Sequence, residues 1–425
     1  MRRTIRSAIN DPILAADNKL HRYRPTMNLR NIIVPLAATL GVQSIVSMVA
    51  VTVPVLAPSA APDMGISATA AGIYVSLMYI GSMVSSLWSG DFIFRYGAVR
   101  VSQICLVLAG LGLMLTAFAT IPMMALSALV IGFGYGPVTP ASSHILARRT
   151  PARMMSFIFS VKQTGVPLGG VLAGAIVPTL VLTMGWRSSG VLIGLLTISL
   201  VFALIPIRKD MDRDRQPGRS ISFGGVTRPL VMVLTHRPLR QLAIISFLYA
   251  GMQLCLFTYL VIFLTGDIGL ALVAAGFILS AAQLAGTAGR IGWGIIADRY
   301  LPPRLLLGLL GIFMSGGALA TAFISPDWPT SLIVAIIMVF GATAIGWNGV
   351  YLAEAARSAP EGRAGEATGG TLFFTFLGVV LGPSIFAAVA SGFDSYPLGF
   401  MFFAVLTAIG GVVLIGSHLR GAFDN

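Results

Sequence analysis

The chain has 425 residues, a mean hydropathy of +0.88, a charged fraction of only 10% and a formal charge of +13. A soluble domain carries about 25% charged residues, so a water-soluble fold is excluded and a polytopic membrane protein remains. The positive balance does not point to nucleic acid, because no basic patch has a soluble domain to carry it. Basic residues at span ends lie instead beside anionic lipid, where each gains about 1 kcal/mol.

Residues 1–30 are polar and basic (Arg2, Arg3, Arg6, Lys19, Arg22, Arg24, Arg30) and read as a tail. The apolar stretch after it is longer than the roughly 7–15 residues of a signal-peptide core, so it reads as a retained span. About 20 apolar residues cross a ~30 Å core. On that yardstick spans fall near 31–57, 68–92, 97–119, 121–147, 152–182, 186–207, 239–265, 269–297, 303–325, 328–356, 364–391 and 396–419. Gly132, Gly134 and Gly136, followed by Pro137 and Pro140, predict a kink in span 4. One long charged connection, 208–238, contains Gly218, Gly224 and Gly225 and divides the chain into halves at 31–207 and 239–425. The expected fold is an all-α membrane protein of twelve transmembrane helices in two six-helix, pseudo-symmetric halves.

Threaded this way, 25 of the 28 Lys and Arg residues fall on one side, together with both termini. Cytoplasmic loops retain Lys and Arg during insertion, so that side is expected to be the cytoplasm of a cell whose inner membrane holds the chain. Only Arg187 falls in an opposite-side loop, among loops that carry Asp63, Asp267, Asp327 and Asp394. Lys162 and Arg290 fall inside apolar segments. Cys105 and Cys255 lie within spans, and the four histidines make no ligand spacing, so neither a disulfide framework nor a metal site is indicated. No cofactor motif or nucleophile–base constellation is visible, which argues against an enzyme.

The halves repeat. Ala70-Ala71-Gly72 recurs as Ala274-Ala275-Gly276, an offset of 204 at which Ser76, Gly90, Arg95 and Tyr96 also match Ser280, Gly294, Arg299 and Tyr300. Gly41-Val42-Gln43 matches Gly251-Met252-Gln253 at an offset of 210. Parallel repeats of this kind create a site where the halves meet, near the bilayer midplane.

Gly294-Ile295-Ile296-Ala297-Asp298-Arg299, followed by Arg304, and its first copy, Gly90-Asp91 with Arg95, Gly97 and Arg100, follow a recurrent pattern. With these motifs the chain resembles the major facilitator superfamily over essentially its whole length. In that family the pattern is G-x-x-x-D-R/K-x-G-x-R/K and forms a cytoplasmic gate latch. The resemblance implies Asp298 and Arg299 as the latch in the second half, and Asp91 and Arg95 in the first. The Asp position of the first copy is Phe94, with Asp91 one helical turn earlier. The span 4 Arg associated with proton-coupled members is absent, and the span 5 antiporter motif appears only as Gly165-Val166-Pro167-Leu168-Gly169-Gly170. The wording from Lys162 to Gly170 is similar, loosely, to cyanate-type and monocarboxylate-type bacterial members.

Lys162 lies nine residues beyond Arg153, roughly 13–14 Å deeper and near mid-bilayer. A Lys there costs about 2.5–3.5 kcal/mol, and no Asp or Glu occurs at comparable depth. Either it faces a cavity and binds an anionic substrate, or it is bonded to carbonyls or to Gln43, Gln253 or Gln283. Arg290 lies nearer the basic side and would either complete an anion clamp with Lys162 or pair with Asp91 or Glu354 in the gate. Glu354, three residues before Arg357, reads as a gate or helix-end acid, and His144 as a hydrogen-bonded packing residue. The resemblance implies a cavity lined by spans 1, 4, 7 and 10, with Gln43, Tyr135, Gln253, Trp347 and Asn348 foremost among its polar and aromatic candidates.

The expected function is alternating-access transport of a small anionic solute of organic-acid type, secondary active or facilitative, by a chain functional as a monomer in the lipid bilayer. An exporter of drugs or of neutral or cationic metabolites is an alternative. A transporter-like assembly or sensing protein without transport is another.

Overall fold

The computed structural model describes residues 30–66, 70–218, 221 and 227–423. The tail through residue 29, and Arg219, Gly224 and Gly225 of the central connection, lie outside the described residues. Among the described residues there are sixteen α-helices. The first eight are α1 (Arg30–Asp63), α2 (Ala70–Tyr96), α3 (Ala98–Leu115), α4 (Ile121–Tyr135), α5 (Val138–Arg149), α6 (Met155–Gln163), α7 (Gly165–Ser199) and α8 (Ile205–Met211). The rest are α9 (Thr227–Thr235), α10 (Arg237–Gly266), α11 (Leu272–Arg299), α12 (Pro303–Ala322), α13 (Thr330–Ala344), α14 (Asn348–Arg357), α15 (Ala364–Gly392) and α16 (Tyr396–Phe423).

In hydrocarbon every backbone polar group must be satisfied internally, and helices achieve that within one segment. Among the described residues, ten stretches are long and apolar enough to cross a membrane. One of them, Ala152–Met211, has 60 residues. Straight, it would reach about 90 Å, three times the core thickness. It folds back at Gly185 (φ 79°, ψ 160°), a left-handed conformation that glycine adopts without strain, and so supplies two crossings. With the 28-residue α11 the crossings number twelve. Spans 1–3 are α1, α2 and α3, span 4 is α4 with α5, and spans 5 and 6 lie either side of Gly185. Spans 7–9 are α10, α11 and α12, span 10 is α13 with α14, and spans 11 and 12 are α15 and α16.

The two halves pack alike. Span 1 packs on span 5, span 2 on span 4 and span 3 on span 6, and in the second half span 7 packs on span 11, span 8 on span 10 and span 9 on span 12. The lone opposite-side cation has a local partner: Arg187 Nη2 meets Asp63 Oδ2 at 2.8 Å, and Trp186 Nε1 donates to the same oxygen.

Three spans break at mid-depth. Span 4 breaks between Tyr135 and Val138, at Gly136 and Pro137, as the Gly/Pro run predicts. Span 10 breaks at the matching place, Ile345 to Trp347, with no proline to announce it. Span 5 breaks at Thr164.

The halves meet on the basic face. Span 2 packs on span 11, and spans 8 and 10 pack on α6. At the second seam Ser160 sits where a Cβ on either Gly294 or Gly349 would have to go, and its hydroxyl has no hydrogen-bond partner. Packing alone therefore fits this contact. Gly349→Ala is expected to destabilise it by about 1–3 kcal/mol through overpacking, read as a lower melting temperature of the purified protein. An unchanged melting temperature would mean that the seam yields freely.

Candidate functional site

The site begins with a missing donor. Gln163 O would accept a hydrogen bond from residue 167, but Pro167 has no N–H. The orphaned carbonyl accepts instead from Arg290 Nη1 at 2.6 Å, across the interface between the halves. Arg290 Nε donates to Ile345 O at 3.1 Å, a carbonyl freed where span 10 breaks. One guanidinium thus satisfies two broken helices, as non-helical backbone at membrane depth requires.

Lys162 stands at the last turn of α6, beside the same break. Its Nζ donates to Gln43 Oε1 (2.8 Å), Gln163 Oε1 (2.9 Å) and Thr139 Oγ1 (3.2 Å). Lys162 is 1% exposed and Arg290 3%. Among the described residues neither has a carboxylate partner, and Gln163 touches both, through its side chain and its carbonyl. Arg290 therefore sits level with Lys162. It pairs with neither Asp91 nor Glu354, so the gate pairing that was one of two readings from sequence is not what the structure contains. Helix rise gave the depth of its Cα, but the long side chain reaches up to the breaks.

The hydrogen-bond chain extends from Thr139 Oγ1 to Gln43 Oε1 (3.1 Å) and from Gln43 Nε2 to Ser47 Oγ (3.2 Å). Tyr135 contacts Ser47 and lies within electrostatic reach of Arg290. Its ring meets Phe376 of span 11 at 6.3 Å and Tyr79 of span 2 at 6.2 Å, so three aromatic rings cluster together, with Tyr135 the one within reach of Arg290. In the second half Gln253 Oε1 accepts from Trp347 Nε1 and Asn348 Nδ2, both at 3.2 Å. Tyr135, Gln253 and Asn348 keep partial exposure, whereas Trp347 is fully enclosed against Tyr249 and Tyr351. Trp347 backs the wall of the site and holds Gln253 in place.

Below the cations the basic face is closed. Asp298 accepts from Ser156 N (3.0 Å) and Phe157 N (2.7 Å), two free N–H groups in the first turn of α6, where the helix dipole favours a carboxylate. Arg357 Nη2 pairs with Asp298 at 3.1 Å, and Arg357 also donates to Ser156 Oγ and Ala152 O. Spans 5, 8 and 10 are thereby tied together. Glu354 reaches that knot only at its edge, with Oε2 4.0 Å from Arg357 Nη1. It accepts from Arg304 Nε at 2.6 Å and joins spans 9 and 10 within one half. Arg299 is exposed, and Arg95 lies over the Tyr96 ring.

The first-half copy is built differently. Phe94, at the missing Asp position, packs edge-on against His144. The acid comes from the other half: Glu366, 5% exposed in the first turn of α15, lies against Gly90 and takes both Nε and Nη2 of Arg363 at 2.8 and 2.6 Å. Those bonds, with the nearby charges of Glu366 and Asp91, raise Arg363 above its ordinary value against the effect of burial. Glu366 stands at a span end with no repeated motif around it, so nothing in the sequence singles it out.

The connection after α8 also docks here. Asp212 accepts from Val99 N (2.8 Å) and Arg100 N (3.1 Å) in the first turn of α3, and it fills the space a Cβ on Gly97 (φ 93°) would need. Asp214 accepts from His144 Nε2 at 2.5 Å and pairs with Arg148 at 2.6 Å. Burial opposes ionisation of Asp214, but the His144 bond and the charges of His144 and Arg148 outweigh it and hold the carboxyl below its ordinary value. A depressed folded value means stability present above the unfolded value, about 3.9, and lost as pH falls through the folded one. The melting temperature is expected to fall between about pH 5 and pH 3, and Asp214→Asn to flatten that slope. An equal slope in the variant would assign it elsewhere.

A model described as the Major Facilitator Superfamily matches residues 39–383. The chain is 27% identical over 386 residues to a 4-hydroxybenzoate transporter of Pseudomonas aeruginosa, a match covering 83% of this chain and 84% of the relative. It is 30% identical over 280 residues to a gallate transporter of Pseudomonas putida, covering 59% and 62% respectively. Among solved structures, the human organic anion transporter MFSD10 superposes with a TM-score of 0.73 at 15% identity, over 92% of this chain and all of that one (100%), a likeness of fold.

Proposed function

The chain belongs to the Major Facilitator Superfamily, and from that premise we propose that it carries a small organic acid across an inner membrane by alternating access. The basic face, with both termini, is cytoplasmic on this reading, as the bias of Lys and Arg supports. The observation that carries the proposal is a pair of cations, Lys162 and Arg290, almost wholly enclosed at mid-depth and touched only by neutral acceptors. Burying a charge costs several kcal/mol unless an opposite charge joins it. The amide oxygens of Gln43 and Gln163 stand where the oxygens of a carboxylate would serve better. A bound acid displaces them, neutralises the repulsion between the cations and permits the halves to close.

The neighbouring rings of Tyr79, Tyr135 and Phe376 suit a flat or apolar body behind the carboxylate. The named substrates of two relatives, 4-hydroxybenzoate and gallate, fit that description. Gln253 and Asn348 are the polar groups opposite, and Gln43 is the first to yield. Asp298 with Arg357 latches the cytoplasmic side at spans 5, 8 and 10. Asp91 with the Arg363–Glu366 pair does so at spans 2 and 11, while Arg95, Arg299 and Glu354 support the helix ends.

Proteoliposomes test this directly. Radiolabelled 4-hydroxybenzoate, benzoate, glucose and tetraphenylphosphonium are offered singly and in competition. Saturable uptake of an acid, blocked by other acids and not by glucose, is expected. Extrusion of the organic cation with no response to acids would replace this reading with the exporter one.

A further inference from the structure

Helix α9 leaves the connecting loop to lie across the seam between the halves: it packs on spans 2, 7 and 11 at once. Its inner face is buried, with Met232 and Val233 against Leu239, Ala243 and Ala367. Contact with the gate helix α15 is tight, since a Cβ on Gly370 would meet Pro229 O at 2.6 Å. The outer face is the anomaly. Val231 is 55% exposed and Leu234 49%, and Ile244, at 54%, continues the strip onto span 7. Arg228, Arg237 and Arg240, all exposed, flank these residues along the chain. Among the described residues none of the three has a carboxylate partner, and Arg240 Nη1 donates to Leu234 O at 2.9 Å.

Apolar side chains flanked by unpaired arginines, at the foot of membrane spans and on the basic face, match the headgroup layer of an anionic leaflet in both polarity and charge. We infer that α9 lies in that layer, with Val231 and Leu234 among the upper acyl carbons and Arg228, Arg237 and Arg240 binding the phosphates of anionic glycerophospholipid. Inward opening requires span 11 to leave span 2, and α9 rests on both. Anionic lipid that holds α9 therefore holds the cytoplasmic gate shut, and the lipid composition of the leaflet sets how readily the carrier turns inward.

The test needs no transported solute, so its failure would leave the transport reading intact. Wild type and an Arg228→Gln/Arg237→Gln variant are placed in nanodiscs of phosphatidylcholine with and without phosphatidylglycerol. Amide hydrogen exchange over residues 227–240 and 364–370 is expected to slow about tenfold with phosphatidylglycerol in wild type and little in the variant. Equal exchange in both lipids, or an equal response in the variant, overturns the inference. In a separate arm, Leu234→Trp is expected to add fluorescence that brominated phosphatidylglycerol quenches. Emission that brominated lipid leaves untouched, but that shifts with protein concentration, would assign this face to a second copy of the chain and overturn it too.

Discussion

Lys162→Met is expected to lower uptake of the preferred acid about 100-fold while leaving the protein as stable as before, or more so. Truncating one partner of a desolvated charge pair costs roughly 2–5 kcal/mol, and each 1.4 kcal/mol is tenfold. The stability readout separates this from a scaffolding role. Lys162 is enclosed with three neutral acceptors and a second cation nearby, so replacing it by an apolar chain of similar length removes a desolvation cost. If Lys162 only held Gln43, Thr139 and Gln163 in place, the variant would melt earlier and transport would fall in proportion. Lys162→Arg keeps the charge but not the shape and is expected to fall between. Full anion uptake in both variants would end the charge-compensation mechanism.

Asp298→Asn is expected to open the cytoplasmic side. Asp298 accepts from two backbone N–H groups and faces Arg357, and hydrogen bonds to a charged group contribute about 1.5–3 kcal/mol. A neutral amide loses the ion pair and turns a donor toward donors, so a loss of about 2–3 kcal/mol is expected, which shifts the ratio of closed to open states by roughly 30- to 150-fold. Spin labels at Ala152→Cys and Glu361→Cys, with Cys105 and Cys255 replaced by Ser, report the width of the cytoplasmic face. The distance distribution should lengthen in Asp298→Asn. An unchanged distribution would leave Asp298 as a helix cap with no hold on the gate.

The architecture was legible because hydrocarbon imposes lengths, and because Arg and Lys mark one side of every crossing. Lys162 and Asp298 were legible for the same reason: a charge at counted depth, or at a span end beside a repeated Gly-Asp-Arg pattern, stands out against apolar sequence. Their partners did not. Gln163 joins Lys162 to Arg290 only because span 5 breaks beside it, and the signal for that was Pro167, four residues on, whose missing N–H frees the carbonyl. The break in span 10 has no proline, so Ile345 gave no sign of offering its oxygen to Arg290. Trp347 and Asn348 both interrupt an apolar stretch, but periodicity cannot say that one is sealed behind the other. Asp212, Asp214 and Glu366 belong to no repeated pattern in the sequence. Their roles depend on what folds over them, which for Asp212 is a helix start more than a hundred residues earlier in the chain.

Two cations fixed at mid-depth by neutral oxygens also give the molecule an electrical character. Moving a unit charge through the whole membrane potential is worth about 2.3 kcal/mol per 100 mV. On the proposed reading, a core bearing two positive charges when vacant and one when it holds a monovalent acid would respond unequally in the two states, so an interior-negative voltage would steer the vacant form toward the cytoplasm more strongly than the occupied form. Current should therefore accompany the return stroke, and its sign would reveal which way the cargo runs.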